Sequence, residues 1–348
     1  MTILVGDIGG TNARFAVVSA DGRWEMLTEC RLPSSRFVSL EDALSAFVDL
    51  HPVARQVTSA CIGIAGPIDE GRCETTNLPW VVDSRLLAER LELPRVPLLN
   101  DLEAAAWGLD VLGPNGLRTL REGTAGGGNR ALVAPGTGLG QAIGYWDGKI
   151  HHPIATEGGH ADFGPASEMQ VKLWRFMTRR YGHVSWERLV SGPGLVGLFE
   201  FLLDLHGKQR PVWLEEADEG QESEAITSRA RDERCPLCQA TIDLFFSLLG
   251  AEAGNLALKT LATGGVYLAG GIVPKLLTEL MESRFLEAFG AKGRFRPLLE
   301  SMPVRVVIDD RVALWGAAAH ALNLEERERT RLQAVPRKGP PFALPETA

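Results

Sequence analysis

Asp7-Ile8-Gly9-Gly10-Thr11-Asn12-Ala13-Arg14-Phe15 is the stretch whose reading decides the fold. Short β-rich runs flank it, Ile3-Leu4-Val5-Gly6 before and Phe15-Ala16-Val17-Val18 after, so it reads as strand, tight turn, strand. Paired glycines allow positive φ in the turn and close approach of a ligand to the backbone. N–H groups freed in such a turn make a nest for phosphate oxygens. Thr11 and Asn12 add side-chain donors, Arg14 adds a cation, and Asp7 is placed to hold Mg²⁺ through water. Taken alone, the stretch is equally well a plain glycine hairpin.

The design recurs. Arg130-Ala131-Leu132-Val133-Ala134-Pro135 enters a turn, Gly136-Thr137-Gly138, and Leu139-Gly140-Gln141-Ala142-Ile143-Gly144-Tyr145-Trp146 leaves it. Two such turns, each opening a domain, suit a grip on one polyphosphate from both sides. A dinucleotide fingerprint would have to open a helix, so that the pyrophosphate sits on the helix N-terminus. β-rich residues follow both turns, which excludes that reading. A Walker loop fails as well: Gly144 to Lys149 is one residue short, and Ile150 follows. The β-hairpin phosphate binders remain.

Between the two turns, Val96-Pro97-Leu98-Leu99 reads as a strand ending at Asn100-Asp101, with an Ala-rich helix starting at once. An acidic residue at a strand's carboxyl end beside a helix N-terminus is a usual place for chemistry in α/β folds. A helix cap explains the same residues, and the two readings are compatible. Further on, Glu157-Gly158-Gly159-His160 is better suited to a loop presenting acceptors to a polyhydroxylated ligand than to a metal site, because helical metal pairs do not carry two glycines. Ser185-Trp186-Glu187-Arg188 reads as a helix start, with Glu187 a solvated first-turn acid by default. Gly265 to Leu268 is a strand delivering Gly270-Gly271 to a helix, a turn that lets a flat base approach the backbone or simply joins the two elements.

Composition bounds what such a molecule does. The chain has 348 residues, 45% of them hydrophobic, enough for a large core and for two domains. A net charge of −8 argues against nucleic acid or an anionic membrane as partner. The N-terminus enters a strand without a signal-like segment, and the apolar run from Leu244 to Leu268 carries Glu252, Asn255 and Lys259, which argues against a membrane span. Five scattered cysteines suit reduced thiols in the cytoplasm. Cys235 and Cys238 form a lone C-x-x-C without further soft ligands or a thioredoxin-like context, and read as structural cysteines at a helix start.

Elsewhere, Trp24 to Arg31 is expected to be a third strand, Leu40 to Asp49 a helix, and Ser59 to Ala65 a buried strand. Thr75, Thr76 and Asn77 are expected in a hairpin, and 113–129 as a crossing between domains. The charged run 207–234 reads as solvated helices or an excursion, followed by a long helix from Leu237 to Leu261 and a last strand over Val304 to Ile308.

These motifs in this order, from Asp7-Ile8-Gly9-Gly10-Thr11-Asn12-Ala13-Arg14 through Asn100-Asp101, Gly136-Thr137-Gly138-Leu139-Gly140, Glu157-Gly158-Gly159-His160 and Glu187 to Ala269-Gly270-Gly271-Ile272-Val273-Pro274, resemble the bacterial glucokinases. The match spans residues 3–322. Ala134 departs from the family's frequent glycine there. The related zinc-cluster sugar kinases fit poorly, since no cysteine lies between Cys73 and Cys235. The resemblance implies the two-domain α/β actin/hexokinase-like (ribonuclease H-like) fold with a cleft between domains. It implies a small domain over 1–110 and 303–324 and a large one over 111–302; the tail over 325–348, charged and then Pro-rich, falls outside the matching motifs and is expected from its composition to be disordered. It also implies phosphorylation of glucose at its 6-hydroxyl by ATP with Mg²⁺. Asp101 would be general base, and Asn100, Glu157, His160 and Glu187 sugar ligands. The nucleotide would be held by Asp7, Gly9, Gly10, Thr11, Asn12, Gly136, Thr137, Gly138, Gly270 and Gly271. A cytoplasmic homodimer is the family expectation. The alternatives are a kinase for another hexose (mannose, fructose or N-acetylmannosamine) and a sugar-responsive regulator without catalysis, which would commonly carry a DNA-binding module for which no room is expected before Ile3.

Overall fold

The two glycine turns each join a pair of antiparallel strands, and the rest of each half is assembled on those pairs. In this computed structural model residues 1–75, 78–124, 126–218, 220–233 and 235–334 are described. Thr76 and Asn77 of the expected hairpin, and residues 335–348 of the expected tail, lie outside them. The chain divides into Met1–Leu99 with Ala317–Ala348, and Asn100–Gly316.

In the first unit the strands are β1 (Thr2–Ile8), β2 (Asn12–Ser19), β3 (Glu25–Pro33), β4 (Ser59–Ile64), β5 (Ile68–Asp69), β6 (Arg72–Glu74), β7 (Val81–Asp83) and β8 (Leu98–Asn100). The main sheet runs β3-β2-β1-β4-β8, with β5, β6 and β7 forming a separate small sheet. β1 pairs antiparallel with β2 and parallel with β4, setting Asp7 opposite both Arg14 and Gly63. The central strands are buried almost throughout, as in a sheet covered on both faces. Helix α1 (Leu40–Leu50) is capped by the Ser39 hydroxyl, which accepts from the Asp42 N–H. It buries Leu40, Ala43, Leu44 and Phe47, and Phe47 lies 5.4 Å from Phe15, ring centre to ring centre. Helix α2 (Ser84–Leu91) is capped by Asp83.

The second unit opens with helix α3 (Asp101–Gly108), followed by β9 (Leu117–Arg121), β10 (Arg130–Pro135), β11 (Leu139–Trp146) and β12 (His151–Thr156). Next come α4 (Glu168–Tyr181), α5 (Gly192–Leu205), α6 (Val212–Glu215), α7 (Glu222–Asp232) and α8 (Pro236–Thr260). β13 (Gly265–Leu268), α9 (Ile272–Lys275), α10 (Leu277–Glu282), α11 (Phe285–Gly290), α12 (Arg296–Ser301), β14 (Val304–Val307) and α13 (Val312–Ala334) complete the chain's elements. The sheet order is β12-β11-β10-β13-β14-β9, with β13 parallel to β10 and to β14. Helix α8 is apolar enough in composition to pass for a membrane span, yet it lies in this unit's core, burying Phe245, Phe246, Leu248, Leu249 and Ala253. A helix apolar all round is a buried helix.

Several expectations need correction. The run 113–129 contains strand β9, paired with β14, so it is not merely a crossing. β14 is a strand of the second unit's sheet, and the chain from Ala317 onward groups with Met1–Leu99. Ser185 does not start a helix; residues 186–190 are turns and α5 begins at Gly192, capped by the Ser191 hydroxyl. Of the two readings of the charged run 207–234 the helical one holds, as α6 and α7, which also bury Leu214, Ile226 and Ala230. Residues 325–334 continue α13, where Arg95 pairs with Glu325 at 3.6 Å and Glu328 at 2.7 Å.

Candidate active site

Asn100 ends β8 in extended conformation, and its Oδ1 accepts from the N–H groups of Leu102 at 3.0 Å and Glu103 at 3.4 Å. It is therefore the cap of α3. Asp101 is the first helical residue, and its Oδ1 accepts from the Leu102 N–H at 2.8 Å, which fixes the carboxylate's direction at the helix N-terminus. Leu102 then anchors α3 on β11: a Cβ on Gly140 would stand 2.7 Å from Leu102 Cδ2. The carboxylate and the Gly136–Gly138 turn are thus held by one contact between neighbouring residues.

The turn is closed by a hydrogen bond from the Gly136 N–H to the Gly138 carbonyl at 2.8 Å. The Gly136 carbonyl in turn accepts from the Gly192 N–H, the first of α5, at 2.8 Å. Gly270 adopts φ 80° and lies against the end of β10, where a Cβ would stand 2.4 Å from the Pro135 carbonyl oxygen. Gly136, Thr137, Gly138, Gly270 and Gly271 are therefore brought together, with Thr137, Gly270 and Gly271 exposed. The positive φ expected of the paired glycines is found at Gly270 and not at Gly9, Gly10, Gly136 or Gly138. At Gly136 and Gly271 the Cβ position is open among the described residues, so what glycine provides there is access to the backbone.

Glu157, His160 and Glu187 also meet. Gly158–His160 form a single 3₁₀ turn, pressed so closely on β11 that a Cβ on Gly159 would stand 2.1 Å from the Leu139 carbonyl oxygen. The Gly159 carbonyl accepts from the Glu187 N–H at 2.9 Å, and His160 lies 3.9 Å from both the Glu157 and the Glu187 carboxylates. Glu187 is more than a solvated acid. Its Oε2 accepts from the Leu139 N–H at 3.0 Å and would collide with any Cβ on Gly138, so it ties the Glu157–His160 turn to the glycine turn. Its side chain is 29% exposed, against 77% for Glu157 and 62% for His160.

Beneath this turn a polar chain that the sequence did not announce runs from the buried Gln141 and Glu252 to the half-buried Asn255 and Lys292. Gln141 Nε2 donates to Glu252 Oε1 at 2.8 Å, Asn255 Nδ2 donates to Glu252 Oε2 at 2.9 Å, and Lys292 Nζ donates to Asn255 Oδ1 at 2.6 Å. Gln141 Oε1 would stand 2.2 Å from a Cβ on Gly158. Burial raises the Glu252 pKa, offset in part by hydrogen bonds from Gln141 and Asn255 and by the charges of Lys259 and Lys292. A carboxyl whose folded pKa lies above its unfolded one stabilises the fold less as pH rises through that interval. Urea unfolding at pH 5 and pH 8 should show this decline, and Glu252→Gln should remove that part of it whatever its absolute stability; an unchanged decline would refute the assignment.

In the first unit, the Gly9 N–H donates to the Asn12 carbonyl at 3.0 Å, and Ser34 braces the turn by donating from Oγ to the Gly9 carbonyl at 3.2 Å and from N–H to the Thr11 carbonyl at 3.0 Å. Asp7 is half-buried at the end of β1, and Thr11 is exposed. Arg14 is 7% exposed, stands opposite Asp7 in the β1–β2 register and pairs with Glu29 on β3.

The glucokinase family profile matches residues 4–324. A glucokinase of Trichormus variabilis is 36% identical over 339 residues, covering 92% of this chain and 99% of the relative. One from Caulobacter vibrioides is 38% identical over 332 residues, covering 93% and 96%. Among solved structures, the glucokinase of an Antarctic psychrotroph superposes with a TM-score of 0.82 at 32% identity, covering 92% of this chain and 99% of that one. A glucokinase of the ROK family from Streptomyces griseus, solved with glucose and AMPPNP, gives a TM-score of 0.64 at 22% identity over 93% and 100%. The fold is the actin/hexokinase-like α/β fold of these sugar kinases.

Proposed function

The chain belongs to the glucokinase family, and from that premise we propose that Asp101 takes the proton of the glucose 6-hydroxyl as the γ-phosphoryl group of ATP is transferred to that oxygen. The activity is ATP-dependent phosphorylation of glucose. Phosphoryl transfer passes through a loose transition state, so a protein contributes mainly position and charge stabilisation. The observation that carries the assignment is Asp101 oriented by the Leu102 N–H, with Leu102 seated on Gly140 just past the glycine turn.

Asn100, Glu157, His160 and Glu187 are proposed to hydrogen-bond the remaining sugar hydroxyls. Such a site rejects a sugar lacking one of them, because its own polar groups are then left unpaired. The nucleotide is assigned to Gly136, Thr137, Gly138, Gly270 and Gly271 in the second unit and to Asp7, Gly9, Gly10, Thr11 and Asn12 in the first. Among the described residues no group of three or more His, Cys, Asp or Glu is placed to hold a metal ion. Single carboxylates of the Asp7 kind nonetheless fit Mg²⁺, which binds through one or two carboxylates, waters and substrate phosphates. Mg²⁺ on ATP would neutralise charge on the β- and γ-oxygens, with Asp7 holding it through water. The protein is proposed to work in the cytoplasm as a homodimer, without nucleic acid or membrane as partner.

A coupled assay of ADP release tests the reading. Glucose should support turnover well above mannose, fructose and N-acetylmannosamine, and a chelator should abolish it until Mg²⁺ is restored. Preference for another hexose would refute the substrate, and no sugar-dependent ADP release would favour a binding-only regulator.

A further inference from the structure

The C-x-x-C at the start of α8 lies outside the residues assigned to sugar and nucleotide. Cys235 is the N-cap of this 25-residue helix, with Pro236 following it in the first turn and Cys238 one turn along. The Cys238 N–H donates to Cys235 Sγ at 3.4 Å, and the two sulfurs stand 2.8 Å apart. Cys235 is half-buried at the margin of the core and Cys238 fully buried, so Cys235 is the more accessible of the two. The helix N-terminus supplies positive charge, while Arg229, its guanidinium paired with Glu233 and lying over Trp213, acts weakly on Cys238 and accepts the Cys235 N–H through its carbonyl at 3.2 Å. Burial pushes the Cys238 thiol well above the usual range, so it is a poor nucleophile towards reagents in solution. The remaining cysteines, Cys30, Cys61 and Cys73, belong to the other unit.

We propose that Cys235 and Cys238 form a reversible dithiol–disulfide site that exchanges with low-molecular-weight disulfides. The Cys235 thiolate attacks one sulfur of the reagent, forming a mixed disulfide and expelling one thiolate. Cys238 attacks Cys235 Sγ and expels the second, its own proton passing to the departing thiolate. The pair loses two electrons and two protons, and the reagent is reduced to two thiols. This reading is independent of the kinase assignment.

The test treats the full chain with oxidised glutathione, alkylates under denaturing conditions and maps the peptides by mass spectrometry. Wild type should lose two alkylatable thiols and show a 235–238 link that dithiothreitol reverses. Cys238→Ala, lacking the second thiol, should retain one glutathione on Cys235. Cys235→Ser, which keeps a capping oxygen, should leave Cys238 unmodified. Wild type with both thiols free, a link to another cysteine, a Cys238→Ala variant without glutathione, or a link that dithiothreitol leaves intact would each overturn the proposal.

Discussion

Asp101→Asn is expected to lower kcat by about 10²–10⁴-fold while leaving the KM for glucose within a few-fold of wild type. The substitution is a narrow one. Asparagine keeps an oxygen that can accept from the Leu102 N–H, as Asp101 Oδ1 does at 2.8 Å, so the start of α3 should survive. What is lost is the ability to take up a proton as the sugar oxygen attacks phosphorus. The loss corresponds to about 2.7–5.4 kcal/mol of transition-state stabilisation, which separates it from the smaller cost of a lost cap. Steady-state kinetics together with glucose titration calorimetry would distinguish the two. Near-normal kcat would remove Asp101 from the chemistry.

The second large effect is structural and concerns how α3 is held. Gly316 of α13 lies so close to α3 that a Cβ there would stand 1.6 Å from the Ala104 carbonyl oxygen and 2.6 Å from the Gly108 nitrogen. Gly108 faces the same crossing from the other side, with a Cβ position 2.0 Å from the Val312 carbonyl oxygen. The obstructing atoms are backbone, so no side-chain rotation relieves the clash and the helices must separate. Gly316→Ala should therefore cost about 3 kcal/mol, the upper end for overpacking. Because α3 begins at Asp101, its displacement should lower kcat as well. Gly113→Ala, where nothing lies within 4 Å of the new Cβ, is the control and should change stability by less than about 0.5 kcal/mol. Urea unfolding of both variants checks this; equal stability would mean that the crossing is not close-packed.

Legibility in the sequence followed the range of the interactions. Both glycine turns were readable because their flanking strands are local and β-rich, and Asn100-Asp101 because a cap and the helix it starts are adjacent in sequence. The Glu187 role was not: its oxygen meets the Leu139 N–H across 48 positions, and no spacing rule reports a tertiary contact. Glu252 read only as a charge that spoils a membrane span, since its partners Gln141 and Lys292 come from distant elements. Strand β9 was hidden in a polar, glycine-rich run because an edge strand of five residues carries little pattern of its own. The Glu- and Arg-rich start of the tail looked unstructured by composition, yet those residues are good helix formers and simply extend α13.

The carboxylate of Asp101 is proposed to receive the proton of the sugar's 6-hydroxyl during transfer from ATP. Phosphorus NMR of wild type and Asp101→Asn, incubated side by side with ATP, Mg²⁺ and glucose, tests it most directly. Wild type should give glucose 6-phosphate as the sole sugar phosphate, and the variant almost none over the same interval. Equal product from both, or phosphate on another hydroxyl, would contradict it.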